Sequence, residues 1–116
     1  MSVSSKGVNM LTFVTLVKLT PEGAKTIGDG RKRYERYERL VKEAGGRVVS
    51  AHGLLGQYDL ITIAELPDEQ TAVRVALSVG VLGTVTTQTM TAVPIKEFFD
   101  QAEKAAQTVG AVGARG

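Results

Sequence analysis

The chain has 116 residues, 43% hydrophobic and 22% charged, with a formal net charge of +2. That is one ordinary globular domain, long enough to bury a core and too short for two, and it is neither disordered nor basic enough to imply nucleic acid. With no cysteine and one histidine, a disulfide scaffold, a thiolate metal site, a cysteine nucleophile and a multi-histidine metal cage are excluded.

Residues 1–9 are polar and read as a flexible arm without the apolar run of a secretory signal. Leu11 to Leu19 reads as a strand, with Leu11, Phe13, Val17 and Leu19 on one face and Val14 and Leu16 on the other. Pro21-Glu22-Gly23 is a turn or helix start, and the glycines of Gly28-Asp29-Gly30 break it, leaving Asp29 to cap a longer helix. Arg31 to Ala44 is the clearest helix: Tyr34, Tyr37, Leu40, Val41 and Ala44 form one apolar stripe. Its other face predicts the i,i+4 pairs Glu35–Arg39 and Glu38–Lys42. Gly45-Gly46 ends it through a left-handed residue.

Arg47 to Leu54 and Tyr58 to Leu66 predict strands joined by the tight Leu55-Gly56-Gln57 link, hence an antiparallel hairpin. Asp68 is the N-cap of a second helix with Ala72, Val73, Ala76 and Leu77 turned inward. Thr84 to Val93 is the fourth strand. A short tail helix over residues 95–106 carries Phe98, Phe99, Ala102 and Ala106, and the small residues from Thr108 to Gly116 read as a mobile end. Val75 to Ile95 holds no charge and has spanning length, but Gly80, Gly83, Pro94 and a run of threonines make it β-like rather than a membrane helix.

The order βαββαβ, with right-handed crossovers, predicts an α+β, ferredoxin-like domain: a four-stranded antiparallel sheet with two helices on one face. The domain occupies residues 10–100, between an arm at 1–9 and a tail at 101–116 that is a helix end and then disordered. In such a fold the second sheet face is bare and should be polar. Here the strands carry apolar residues at both parities, Leu60, Ala64 and Leu66 against Ile61 and Ile63 for example. That predicts a cover on both faces, and the simplest cover is a second copy. A standard interface of roughly 800 Å² per partner, about 60% apolar, contributes about 25 kcal/mol gross, against an association cost on the order of 4–15 kcal/mol. The competing cover is the tail helix folded back within one chain.

Gly56-Gln57-Tyr58-Asp59 resembles the G-x-Y-D signature of the GYD-domain family. The flanking segments Gly45–Gly53 and Leu60–Asp68, and Leu82–Thr89 further on, are similar to it as well, so the resemblance spans about residues 11–100. It implies a dimeric α/β barrel of ferredoxin-like halves, in a family largely without assigned function. More distantly, Gly56-x-Tyr58-Asp59 and Gly83–Thr89 resemble the ligand-sensing domain of Lrp/AsnC-type regulators. Those domains form dimeric barrels and hold small effectors such as amino acids between dimers. The chain is therefore expected to be the sensing module alone, without an N-terminal helix-turn-helix for reading DNA.

Four residues form the candidate site: His52, Gly56, Tyr58 and Asp59. In the binding reading, the Tyr58 hydroxyl and Asp59 carboxylate face a pocket at the barrel mouth and fix a small polar metabolite. In the structural reading, Gly56 permits the turn, Tyr58 packs at the sheet edge and Asp59 accepts turn amides. His52 is either an interface histidine or a general base with Asp59 as its orienting acid. The basic run Arg31-Lys32-Arg33 with Arg36 and Arg39 is interleaved with glutamates and reads as a solvated helix face. The fourth-strand threonines are β-formers that could also line a polar cavity.

The reading is therefore a cytoplasmic homo-oligomeric small-molecule-binding or accessory protein. Its expected partners are itself, as homodimer or higher oligomer, and a small polar metabolite. No cofactor, metal, nucleic acid or membrane is expected. The alternatives are a small cofactor-free enzyme, isomerase- or monooxygenase-like, with His52 as base, Tyr58 as acid and Asp59 as partner, and a structural assembly subunit.

Overall fold

The computed structural model of the chain describes residues 10–115, so the expected arm at 1–9 and the terminal Gly116 lie outside the described residues. The elements are β1 (Leu11–Leu19), a short helix α1 (Pro21–Lys25), a 3-10 turn (Ile27–Asp29), α2 (Gly30–Glu43), β2 (Arg47–Gly53), β3 (Leu60–Leu66), α3 (Glu69–Gly80), β4 (Val85–Ala92) and α4 (Ile95–Arg115). The strands form one sheet in the order β2-β3-β1-β4, each neighbouring pair antiparallel. This is the ferredoxin-like arrangement predicted from the element order.

The helix-covered face holds the core. Phe13 sits opposite Ala64 and Leu11 opposite Leu66. Phe13, Ala64 and Leu66 cluster with Val41 of α2 and Ala72 and Val75 of α3. Two caps fix the helices that lie over it. Asp68 Oδ1 accepts from the Thr71 backbone N–H at 2.8 Å, the predicted N-cap. Gly45, at φ +91°, ends α2 with its N–H on the Lys42 carbonyl, and Gly46 N–H returns to Val41.

The opposite face presents Val14 and Leu16 of β1 directly across from Ile63 and Ile61 of β3, with Met90 across from Val14 on the other side. These four β1 and β3 residues are half-buried and Met90 is exposed. Polar residues surround this apolar centre: Lys18 opposite Thr86, Gln88 opposite Leu16, and Arg47 paired with Glu65 at 2.8 Å.

Several sequence expectations need correction. On α3, Thr71, Ala72 and Val75 are the buried residues, whereas Val73 and Leu77 are 57% and 64% exposed. Positions 72, 75, 76 and 79 share one side of a helix, and 73 and 77 fall about 110° and 150° from its centre. Asp29 stands at the N-cap position of α2, yet its side chain makes no capping hydrogen bond and lies 4.0 Å from Arg33. Neither the Glu35–Arg39 nor the Glu38–Lys42 pair forms among the described residues, as expected where solvent competes with exposed pairs. The tail helix does not stop near residue 106 but runs to Arg115. Its alanines and glutamines favour helix strongly enough to carry it through Gly110.

Candidate functional site

The 54–59 turn is built by backbone needs first. Gly56 has φ +137°, open to glycine and strained for other residues. Leu54 N–H donates to the Asp59 carbonyl and Asp59 N–H to the Val17 carbonyl, so Asp59 closes the hairpin and extends the ladder to β1. Its carboxylate Oδ2 accepts the Leu19 backbone N–H at 2.8 Å. That is a charge-assisted bond tying the turn to the end of β1, and it occupies the group the binding reading turned toward a pocket.

Tyr58 is half-buried, and its hydroxyl donates to Gln88 Oε1 at 3.1 Å. Gln88 lies on β4 opposite Leu16, so the phenol reaches over the bare sheet face beyond β1. Lys18 Nζ donates to the Gln57 carbonyl at 3.0 Å on the same rim. His52 is exposed on the edge strand β2, opposite Ile61 and not Asp59. It borders a shallow groove with Ala51, Gly53 and Tyr34. No hydrogen bond or ion pair joins His52 to Tyr58 or Asp59 among the described residues. Tyr58 and Asp59 thus stay together at the β1 end, and the predicted base stands apart from its predicted acid.

Sequence reasoning missed Gln88, the partner of Tyr58, because the two are 30 residues apart and meet only through sheet register. It placed Tyr34 and Tyr37 on the apolar stripe of α2 without foreseeing their polar neighbours. The Tyr37 hydroxyl lies 3.1 Å from Thr62 Oγ1. Burial raises the Tyr37 phenol above its ordinary value of 10.0, partly offset by Thr62. Tyr34 is raised by burial and by the nearby Glu38 carboxylate. Both therefore remain protonated donors at neutral pH. Among the described residues no group of three or more His, Cys, Asp or Glu could hold a metal ion, and no helix is long and apolar enough to cross a membrane.

The GYD domain model matches residues 13–102, most of the chain, including the turn just described. The chain belongs to the GYD family. A relative from Thermus thermophilus, the "Glutamine synthetase and cystathionine beta-lyase binding protein", is 34% identical over 91 residues, covering 78% of this chain and 96% of that protein. Among solved structures, MtbAldR aligns with 73% of this GYD chain and 54% of its own length at TM-score 0.59 and 14% identity. A Neisseria meningitidis transcriptional regulator solved with L-Met aligns with 79% of this chain and 56% of its own at TM-score 0.53 and 19% identity. The GYD chain spans about half the length of these regulators, and at such identities the likeness is one of fold.

Proposed function

We propose that this GYD protein is a homo-oligomeric accessory protein that docks on a metabolic enzyme in the cytoplasm. The observation that carries the reading is the 34% identity to the Thermus binding protein across 96% of that protein's length. The bare face supports the oligomer. Val14, Leu16, Ile61, Ile63 and Met90 make an apolar centre inside a rim of Lys18, Gln88, Arg47 and Glu65, the pattern of a protein interface rather than of a solvated sheet. The tail helix leaves that face open, since every residue from Val93 to Gly110 is exposed. In this reading Tyr58 and Gln88 lie on the rim of the oligomer interface, where the assembled oligomer meets the enzyme, and Asp59 and Gly56 hold the turn that presents Tyr58.

The test is native mass spectrometry of the chain mixed with purified glutamine synthetase and, separately, cystathionine beta-lyase of the same organism. The expected result is a complex of defined stoichiometry with at least one of them, weakened by Tyr58→Ala. Absence of a complex with both enzymes, under conditions where the oligomer itself survives, overturns the docking role.

A further inference from the structure

The helix layer does not seal against the sheet. Between α2 and α3 lies a cavity of about 120 Å³, close to the roughly 150 Å³ that admits a benzene ring in an apolar protein interior. Its sheet floor is mostly apolar, with Phe13, Val17 and Leu66 in it, and carries four threonines, Thr15, Thr62, Thr87 and Thr89, while Val75 and Val79 of α3 form part of the wall. Three of these hydroxyls are paired: Thr15 with Thr89 at 3.0 Å, and Thr62 with Tyr37 of α2 at 3.1 Å. In each pair one hydroxyl donates, leaving the other a free hydrogen.

The mouth is marked by Arg33, Tyr34 and Gly30, which also line the adjoining groove that opens past Leu19 and Val85. Arg33 is held in place. Its Nη1 donates to the Thr26 carbonyl at 3.1 Å and its Nη2 to Thr26 Oγ1 at 2.6 Å, with the exposed Asp29 carboxylate 4.0 Å away, beyond hydrogen-bond distance. The side chain is 23% exposed. These bonds use two of the five guanidinium N–H groups, so a fixed, half-desolvated cation with donors to spare stands where an apolar cavity opens. Among the described residues no Asp or Glu lines the cavity. A ligand ammonium would be unpaired there, and a ligand carboxylate would not.

We propose that this cavity binds a small monocarboxylate with an apolar body of about six carbons, the body between the helices and the sheet and the carboxylate on Arg33. This goes beyond enzyme docking and does not depend on it, because the cavity lies within one chain, on the sheet face opposite the proposed interface.

The experiment titrates the intact protein with benzoate, benzyl alcohol and acetate, reading heat and the NMR shifts of the Val75 and Val79 methyls. Benzoate is expected to saturate one site per chain and move both methyls. Arg33→Gln weakens benzoate tenfold or more while leaving benzyl alcohol, the same ring without the charge, unchanged. Ala76→Leu, which fills the wall, removes both. The methyl shifts in the unmutated protein locate the ligand even if that variant fails to fold. Acetate binding as tightly as benzoate, benzoate that leaves both methyls unmoved, or equal benzoate affinity in Arg33→Gln would each overturn the proposal. A failure to dock on either enzyme leaves these readouts untouched.

Discussion

Asp59 and Tyr58 are neighbours with opposite structural weight. The Asp59 carboxylate accepts a half-buried backbone N–H from Leu19, so Asp59→Ala strands that donor and is expected to cost about 1–3 kcal/mol in urea unfolding. The Tyr58 hydroxyl meets Gln88 in an exposed bond, and Tyr58→Phe is expected to change stability by less than about 0.5 kcal/mol. A large stability loss in Tyr58→Phe would place this phenol in the framework rather than on the docking rim. Asp68 makes a pH-dependent contribution. Its hydrogen bonds with Thr71 hold the carboxyl below its ordinary value of 3.8. Stability from this cap is therefore fully present above that value and is lost as pH falls through the lowered folded-state value. Asp68→Asn keeps an acceptor at the cap, and the acid limb of its thermal-melt profile is expected to be flatter than that of the wild type. The cap was legible because it is local, three residues from its partner. The role of Asp59 was not, because its partner is 40 residues away and only the β1–β3 pairing joins them.

At the scale of elements, the two adjacent glycines after α2 serve different ends. Gly45 carries the positive φ that stops the helix. Gly46 is needed for closeness: a Cβ there would stand 2.1 Å from the Glu65 carbonyl oxygen and 2.8 Å from Leu66 Cδ2. Both obstacles belong to the next strand, so β2 would have to move away from β3. Gly46→Ala is expected to lower stability by about 1–3 kcal/mol or more, against a smaller loss for Ala at Gly28, where nothing lies within 4 Å. Comparing the two denaturation midpoints checks this. The strand and helix spans were readable because period two and period 3.6 are written directly in the chain. The inward side of α3 was misread because its apolar residues cover more than one side, Val73 and Leu77 included, and only packing against the sheet selects Ala72 and Val75.

On the scale of the molecule, the radius of gyration is 18.1 Å, where a compact chain of this length has about 13 Å. The projecting α4 helix accounts for the excess. A free helix of this kind is marginal in water, and in the proposed oligomer the apolar sheet face is the surface that a second copy covers. Leu16→Asp, a charge at the centre of that face, is expected to convert a dimer into monomers. Sedimentation velocity and solution scattering check this, the variant returning the mass of a single chain. A wild-type protein that already sediments as a monomer removes the interface and the rim role of Tyr58 with it.

From the sequence by itself came the order of elements, their antiparallel pairing and the two-sided greasiness of the strands, because each follows from local periodicity and short connections. The threonines of β4 show where that ends. Their strand propensity was plain, but whether they faced solvent, a second copy or a cavity was not. Which carboxylate is bound by a backbone amide, whether His52 meets Asp59, and that Arg33 stands over a hollow between α2 and α3 were decided by the tertiary structure alone. These depend on register and helix spacing, which arise only when segments far apart in the chain pack together.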